Sequence, residues 1–399
     1  MRTIKAIMAA LVVSAALISC SGEGNGNGGT NLQVNDLVLT FDKSVINSNG
    51  NDLVTFRAYY KGVEVGAADG ARFFKIEGGK LVPLSSPTFS ATQDGTYSFQ
   101  AGYKTGFSDI VNISAISKSI PTAPEDPYPA RTSFVHRTFF NQHTGANCGF
   151  CPQMTALLKK TLADEAVSDK VVLATLRNYS GEAGFASVPN PGSGWPNLDI
   201  DYAQTYKYNG TVDGLKQIIN ARTETPSMVG ISATPVYYAD EDIIVVKVAV
   251  KAAVDGEYNV GLWLMQDNFF KIQSINPGST VEGWVEGTKN PYNYHNNGVR
   301  VAESKYLNSH VGYPLGKMTA GETREWIYVV NVSSKATQDL DGSGTIDHND
   351  GTWWEGRSKV NLDDLHFAAF VTNTTNGKSY TVVNAIDFPY NTPTQFEYL

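Results

Sequence analysis

The chain has 399 residues, of which 42% are hydrophobic, 11% aromatic and only 18% charged. At about 100–200 residues per domain this length predicts two to three domains, and the apolar fraction excludes a chain that is disordered throughout. The formal net charge of −8 argues against nucleic acid as a partner, because no large basic surface is available to neutralise phosphates.

The N-terminal residues have the features of an export signal. Two basic residues precede Ala6–Leu17, a mostly apolar run that is too short to span a bilayer, which takes about 20 apolar residues. The run leads to Ser19-Cys20, which resembles the lipobox of bacterial lipoproteins, whose cysteine is acylated and becomes the new N-terminus. We therefore predict a signal peptide at 1–19, a lipid anchor on Cys20 that contacts the lipid bilayer, and a flexible glycine-rich tether at 20–31. An ordinary signal peptide followed by an unmodified cysteine is the alternative.

Residues 32–120 predict a small Ig-like β-sandwich. Short strand-like runs alternate with turn clusters such as Asn47–Gly50, a spacing typical of antiparallel sandwiches. The run Gly95–Ala101 resembles a late strand of bacterial Ig-like repeats. The expected strands are Leu37–Phe41, Leu53–Tyr60, Ala71–Ile76, Thr96–Ala101 and Ile110–Ile116.

A proline-dense stretch at 121–130 predicts a linker. Four prolines fall close together, at Pro121, Pro124, Pro127 and Pro129. Proline fixes φ and has no amide donor, so such a stretch extends as a stiff spacer. We therefore expect a domain boundary here.

Residues 131–225 predict a thioredoxin-like α/β domain. A strand over Ser133–Phe140 leads to the C-G-F-C-P segment at Cys148–Pro152, and apolar residues from Met154 to Leu162 then recur at helical spacing. Val171–Leu176 is a continuous apolar run, as expected of a buried strand. Strand, CxxC, helix and strand in this order open a thioredoxin-like unit.

The rest of that domain is predicted to be a loop-rich stretch at 181–197 followed by two helices. We expect one helix from about residue 201 to 208 and another near Leu215–Arg222. Thioredoxins carry a cis-proline opposite the CxxC. We place the equivalent position at Tyr208–Gly214, which contains no proline.

Residues 226–399 predict a second, larger β-sandwich. Strand-like runs rich in valine, isoleucine and aromatic residues return after Pro226. The expected strands are Ile243–Ala252, Tyr258–Gln266, Glu325–Val332, Leu365–Thr372 and Tyr380–Ala385.

Two segments resemble a known family. Thr144–Pro152, with the sequence T-G-A-N-C-G-F-C-P, and Tyr294–Arg300, with the sequence Y-H-N-N-G-V-R, resemble the Omp-twenty-eight-related outer-membrane lipoproteins of the Bacteroides group. The resemblance covers about residues 131–399 and implies a thioredoxin-like domain followed by a β-sandwich. It implies a location at the outer membrane but no established reaction.

Cys148 and Cys151 are the first candidates for chemistry. At a helix N-terminus the helix dipole would stabilise a thiolate on Cys148, which could attack another disulfide while Cys151 resolves the mixed species. Asn147 stands where thioredoxins carry tryptophan, which favours a static disulfide in an exported protein. Metal capture with His143 is a further alternative, for which only half a ligand set is visible.

The run 339–350 fits the twelve-residue template of a calcium-binding loop. Oxygen-bearing residues occupy the ligand positions, and Gly344 stands at the sharp turn. The last ligand is aspartate rather than the glutamate of calcium sensors, and no flanking helices are predicted, so we expect a structural calcium ion and no organic cofactor. An acidic turn without an ion is the alternative. The expected ligands are Asp339, Asp341, Ser343, Thr345, Asp347 and Asp350.

These features together predict a multidomain α+β and all-β protein with an Ig-like sandwich, a thioredoxin-like domain and a C-terminal sandwich. We expect a scaffold for binding or adhesion, anchored at the outer membrane by lipid and not an enzyme, whose ligand is an unidentified protein or glycan. The sequence leaves open whether the periplasmic or the cell-surface face is used. The alternative function is an extracytoplasmic thiol–disulfide oxidoreductase that uses the CxxC pair.

Overall fold

A computed structural model describes residues 36–177, 194–303, 311–332, 362–375 and 379–399. The chain forms two compact units, Met1–Ile120 and Pro121–Leu399. The predicted signal peptide, Cys20, the tether and the calcium loop lie outside the described residues. Within the described ranges, no helix combines the length and the apolar character needed to cross a membrane.

The first unit is the predicted Ig-like β-sandwich. One sheet has the order β1-β3-β4, with β7 paired to β3, and the other has the order β2-β10-β8-β5-β6, with β9 paired to β8. Alternate residues of β3, namely Val54, Phe56 and Ala58, are buried, and the Phe56 ring lies 4.6 Å from that of Phe99 on the facing sheet. The strands are β1 (Leu37–Phe41), β2 (Val45–Asn47), β3 (Val54–Tyr60), β4 (Val63–Val65), β5 (Arg72–Glu77), β6 (Lys80–Pro83), β7 (Thr88–Phe89), β8 (Gly95–Tyr103), β9 (Gly106–Phe107) and β10 (Val111–Ile116).

In its described residues the second unit combines three α-helices with a nine-stranded sheet, a three-stranded sheet and a two-stranded sheet. Its helices are α1 (Cys151–Leu162), α2 (Glu165–Ser168) and α3 (Val212–Thr223). Its strands are β11 (Thr138–His143), β12 (Val171–Leu176), β13 (Asn197–Ile200), β14 (Gln204–Tyr206), β15 (Val229–Tyr238), β16 (Ile243–Ala252), β17 (Gly256–Gln266), β18 (Phe269–Phe270), β19 (Tyr294–His295), β20 (Gly298–Glu303), β21 (Tyr313–Met318), β22 (Thr323–Asn331), β23 (Leu365–Thr375) and β24 (Ser379–Pro389).

A nine-stranded mixed sheet runs through the whole second unit. Its order is β14-β13-β11-β12-β20-β17-β23-β24, with β21 paired to β17. The thioredoxin-like strands and the C-terminal strands meet where Thr175 of β12 lies beside Gly298 of β20 in parallel. The predicted ranges 131–225 and 226–399 therefore contribute to one sheet. β20 pairs with β12 at this one position, near the carboxyl end of β12.

A three-stranded sheet, β15-β16-β22, completes the predicted C-terminal sandwich. The Tyr328 hydroxyl on β22 donates a hydrogen bond of 2.7 Å to the Val260 carbonyl on β17. The ring of Trp326 stacks on that of Tyr313, with centroids 5.0 Å apart. All five strands predicted after residue 226 are confirmed, most of them longer than the apolar runs that indicated them.

The predicted helix at 201–208 is wrong. The structure has a hairpin there, in which β13 and β14 pair through Leu198 and Tyr206. The turn between the strands holds Asp201 and Tyr202 at φ angles of 53° and 56°, in the left-handed region that a right-handed helix excludes. The other helices agree with prediction, since α1 buries Met154, Leu157 and Leu158 on one face.

The proline-dense segment is held in place by a buried lysine. Lys251 on β16 is only 1% exposed, and its ammonium donates hydrogen bonds to Asp126 Oδ2 at 2.8 Å and to the Pro129 carbonyl at 2.7 Å. The Tyr398 hydroxyl, near the C-terminus, donates to Asp126 Oδ1 at 2.8 Å and lies 3.2 Å from the ammonium. The segment predicted as a linker is thus part of the second unit.

Candidate functional site

The CxxC segment lies at the carboxyl end of the parallel pair β11 and β12. These strands run in register from Thr138 beside Val171 to His143 beside Leu176, and α1 connects them. Cys151 is the first residue of α1 and Pro152 follows it, in the turn where a missing amide hydrogen costs least. Cys148, three positions earlier, forms a disulfide with Cys151.

The disulfide is buried. Cys148 is 3% exposed and Cys151 is fully buried. Residues 267–297, which connect β17 to β20 and which we call the cover, contact the CxxC segment. The cover is closed on itself by the pairing of β18 with β19, in which Phe269 lies beside His295.

Gln273 of the cover fastens it to the CxxC segment. Its side-chain Nε2 lies 3.2 Å from the carbonyl oxygen of Gly145, 2.9 Å from that of Ala146 and 3.1 Å from that of Cys148. The side-chain Oδ1 of Asn293, near the C-terminal end of the cover, accepts a 2.9 Å hydrogen bond from the backbone amide of Gln273. Gln273 and Asn293 are both buried.

The backbone of the cover follows the same segment. The Ser274 amide donates to the Ala146 carbonyl at 2.7 Å, and the Asn276 amide donates to the Gly149 carbonyl at 3.1 Å. A Cβ atom on Gly149 would overlap with the side chain and the amide of Asn276. Glycine at 149 therefore lets the cover approach the CxxC segment at backbone distance.

This arrangement opposes thiol chemistry at Cys148. Exchange requires a thiolate to reach a sulfur atom, and the cover leaves little of either sulfur-bearing residue exposed. The Cys148 amide already donates to the Gly145 carbonyl at 3.2 Å, so it is engaged elsewhere rather than free to stabilise a thiolate. The site as described supports a structural crosslink.

The position expected to hold the thioredoxin-type proline was wrong. The strand beside β11 is β13, which pairs antiparallel with it through Asn141 and Asp199. The residue directly before β13 is Pro196, and the Trp195–Pro196 peptide bond is cis. Tyr208–Gly214, the stretch predicted for this role, leads into α3 instead, where Thr211 caps the helix by accepting a hydrogen bond from the Gly214 amide.

Two buried arginines lie beneath the cover. The guanidinium of Arg300 is 4.7 Å from the centre of the Phe269 ring, and that of Arg177 is 5.4 Å from it. Arg300 also donates two hydrogen bonds to Gln266 Oε1. Burial, and secondarily the charge of Arg177, lowers the pKa of His295 to about 3, so this imidazole is neutral at physiological pH. These contacts hold the inner face of the cover against β12 and β20.

A carboxylate–histidine–carboxylate arrangement lies at the base of the cover. His366 Nδ1 on β23 is 2.9 Å from Asp387 Oδ1, and its Nε2 is 3.5 Å from Asp267 Oδ1. Burial alone would lower the pKa of His366, but the two carboxylates outweigh burial and raise its pKa to about 9. Asp267 also accepts the Asn297 amide at 2.7 Å, so the charged histidine braces the two ends of the cover.

A pair of buried carboxylates lies on β13 and in the turn after it. Burial, and secondarily the charge of Asp201, raises the pKa of Asp199 to about 7. Burial raises the pKa of Asp201 to about 6, although Asp201 accepts hydrogen bonds from the Phe139 amide and the Thr138 hydroxyl and pairs with Arg222 at 3.2 Å. The Arg222 guanidinium pairs with Asp201 and lowers the pKa of both carboxyls, but burial outweighs it, so Asp199 is partly protonated at neutral pH.

The described residues offer no grouping of three or more His, Cys, Asp or Glu side chains that could hold a metal ion. His143, proposed as a partner of the cysteines, is buried at the end of β11, and both cysteine sulfurs are engaged in the disulfide. The six predicted calcium ligands, 339–350, lie outside the described residues.

Sequence reasoning located the cysteines but missed the groups around them. Gln273, Asn276 and Lys251 are isolated polar residues without a motif, and most of their partners are 122 to 147 positions away along the chain. The one available signal was the Tyr294–Arg300 segment, which was singled out by resemblance and which forms the end of the cover and the start of β20.

Comparison with known proteins gives little further information. A scan against protein-family models finds no match, and no curated protein matches the chain. Among solved structures, HBP35 of Porphyromonas gingivalis is similar over 65% of this chain and 76% of its own length, with 13% sequence identity and a TM-score of 0.46.

Proposed function

We propose that the protein is a lipid-anchored cell-envelope scaffold for binding or adhesion, in which Cys148–Cys151 is a structural disulfide. The observation that carries the proposal is the burial of both cysteines beneath the cover. A catalytic cysteine sits in a partially exposed, electropositive environment, whereas buried structural cysteines are inert. In its described residues the scaffold presents two β-rich units, each with a core of buried apolar side chains.

An insulin-reduction assay on the full soluble chain tests this proposal. We expect wild type to reduce insulin at the rate of the dithiothreitol-only background, because an incoming thiolate does not reach Cys148. The Cys148→Ser variant is the matched control and should give the same rate. Insulin reduction by wild type that is well above background, and is lost in Cys148→Ser, would replace the scaffold with an enzyme.

The second candidate function is thiol–disulfide exchange. The arrangement of β11, CxxC, α1 and β12 favours it, because the cysteine pair lies at a helix N-terminus beside the carboxyl end of parallel strands. The cover is the feature that argues against it.

The anchor is proposed from the sequence. The apolar run Ala6–Leu17 followed by Ser19-Cys20 supports acylation of Cys20 and attachment to the outer membrane. The segments Thr144–Pro152 and Tyr294–Arg300 support membership of the Omp-twenty-eight-related lipoproteins. The ligand class that we propose for the scaffold is a protein or a glycan.

Calcium binding is proposed for the loop 339–350. An ion that binds only the native state should stabilise it by about 2.7 kcal/mol at a hundredfold excess over Kd. We therefore expect the melting temperature to rise on addition of calcium and the Asp341→Ala variant to lose that rise. Asp363→Ala, outside the predicted loop, serves as the control. Equal melting curves of wild type in calcium and in chelator would contradict the proposal.

A further inference from the structure

The cover contains a short segment that follows the CxxC segment as a bound polypeptide would. Within Gln273–Asn276, the amides of two residues spaced by two donate to the carbonyl oxygens of Ala146 and Gly149. The Nε2 atom of the Gln273 side chain lies within hydrogen-bond distance of the carbonyl oxygens of Gly145, Ala146 and Cys148. Carbonyl oxygens of the CxxC segment thereby accept hydrogen bonds from a distant segment of the same chain.

We propose that Gln273–Asn276 is an autoinhibitory strap that keeps the Cys148–Cys151 disulfide out of thiol exchange. This inference deepens the proposed function, since it names the residues that make the cysteine pair inert. Most of the cover is tied to β12, β17, β20 and β23 by other contacts, including the Phe269 ring beneath two arginines and the His366 brace. Hydrogen bonds from Gln273, Ser274 and Asn276 join the strap to the CxxC segment, and substitutions at these contacts leave the other attachments of the cover in place, such as the Lys160–Glu282 ion pair to α1.

Two features of the strap are specific to this contact. Gln273 is buried, and its side-chain Nε2 lies within hydrogen-bond distance of the carbonyl oxygens of Ala146 and Cys148. Gly149 has no side chain at the one point where a Cβ atom would push Asn276 away. Either feature can be removed by a single substitution that leaves both cysteines in place.

The chemical step that the strap blocks is reduction by an external dithiol. A dithiol thiolate attacks one sulfur of the disulfide, the Cys148–Cys151 bond breaks, and a mixed disulfide forms. The second thiol of the dithiol then displaces the cysteine, leaving two cysteine thiols and an oxidised cyclic disulfide. Two electrons pass from the dithiol to the protein, and the thiol protons of the dithiol balance the two new cysteine thiols.

The test measures the rate at which dithiothreitol reduces the disulfide in the folded full chain. Samples are quenched with a maleimide at intervals, and the mass of the intact protein counts the alkylated cysteines. We expect Gln273→Ala and Gly149→Ala to be reduced about tenfold faster than wild type or more. Gln273→Ala removes the side-chain hydrogen bonds of the strap, and a Cβ atom at position 149 displaces Asn276, which donates to the Gly149 carbonyl. Thr280→Ala, an exposed position elsewhere in the cover, should match wild type.

A destabilised variant separates strap release from unfolding. Lys251→Met weakens the second unit far along the chain from the CxxC segment and should leave the reduction rate under native conditions close to that of wild type. The proposal is overturned if Gln273→Ala and Gly149→Ala are reduced no faster than wild type, or if Lys251→Met is accelerated as much as they are. Insulin reduction by wild type would refute the proposed function, whereas unchanged reduction rates in the strap variants would refute only the strap.

Discussion

Replacing Lys251 with methionine should lower the free energy of unfolding of the second unit by about 1–3 kcal/mol, the usual cost of leaving a hydrogen-bond acceptor without its donor. Hydrogen bonds from Lys251, Tyr128 and Tyr398 lower the pKa of Asp126 overall, although burial, the largest single influence, raises it. Without the ammonium, the Asp126 carboxylate and the Pro129 carbonyl lose their shared donor. Chemical denaturation followed by tryptophan fluorescence measures the loss.

Lys247→Met is the matched control, because Lys247 lies on the same strand and pairs with Glu325 at 2.9 Å. The carboxylate of that pair is largely exposed, so we expect a loss of about 0–1 kcal/mol. Trypsin gives a second readout, since release of 121–130 should free the backbone around Arg131, which is already exposed, to enter the protease active site. A Lys251→Met protein as stable as the Lys247→Met protein would show that the segment is not held by the buried lysine.

Replacing Asp199 with asparagine should stabilise the protein at pH 8 and have little effect near pH 4. The pKa of Asp199 is raised from its ordinary value of 3.8 to about 7, so the folded state holds a proton that the unfolded state releases between these values. The stability contributed by that proton is complete below about pH 4 and is lost as the pH rises through 7. At pH 8 the buried charge costs on the order of 3 kcal/mol, which an uncharged amide of the same shape avoids.

The comparison requires a control because His366 titrates in an overlapping range. Its pKa, raised to about 9, gives stability that is present below about pH 6.5 and lost as the pH rises through 9. Because His366 is present in both proteins, its contribution cancels when the free energy of unfolding of wild type is subtracted from that of Asp199→Asn. The exposed Asp213→Asn variant should follow the wild-type curve. Parallel curves for Asp199→Asn and wild type from pH 4 to pH 8 would refute the assignment of a neutral Asp199.

The predictable part of this fold is the part encoded by local pattern. Strand periodicity located Leu37–Phe41 and Ile243–Ala252 with correct ends, and helical spacing located α1, because in each case burial of one face or of a continuous run follows from neighbouring residues. The hairpin of β13 and β14 escaped the same method. Its two strands have only four and three residues, too few to show a clear alternation of apolar and polar residues. Its turn depends on left-handed φ angles at Asp201 and Tyr202, which the sequence pattern did not predict.

The environment of the cysteines depends on contacts between distant parts of the chain. The succession of β11, the CxxC segment, α1 and β12 followed from the sequence, but the joining of β12 to β20 in one sheet did not, because a single parallel bridge between Thr175 and Gly298 specifies it. Gln273 is one of many polar residues in a long connection. Its role arises only when the sheet brings the cover over the carboxyl end of β11.

The reduction potential of the Cys148–Cys151 disulfide tests the central claim most directly. Equilibration of the folded full chain against defined dithiol buffers, with alkylation and mass measurement of the intact protein, gives this value. A buried structural disulfide stabilised by the cover should have a potential below about −300 mV, where structural disulfides in secreted proteins lie. A value above about −270 mV, in the range of thioredoxin and the more oxidising exchange enzymes, would contradict a structural role for the pair.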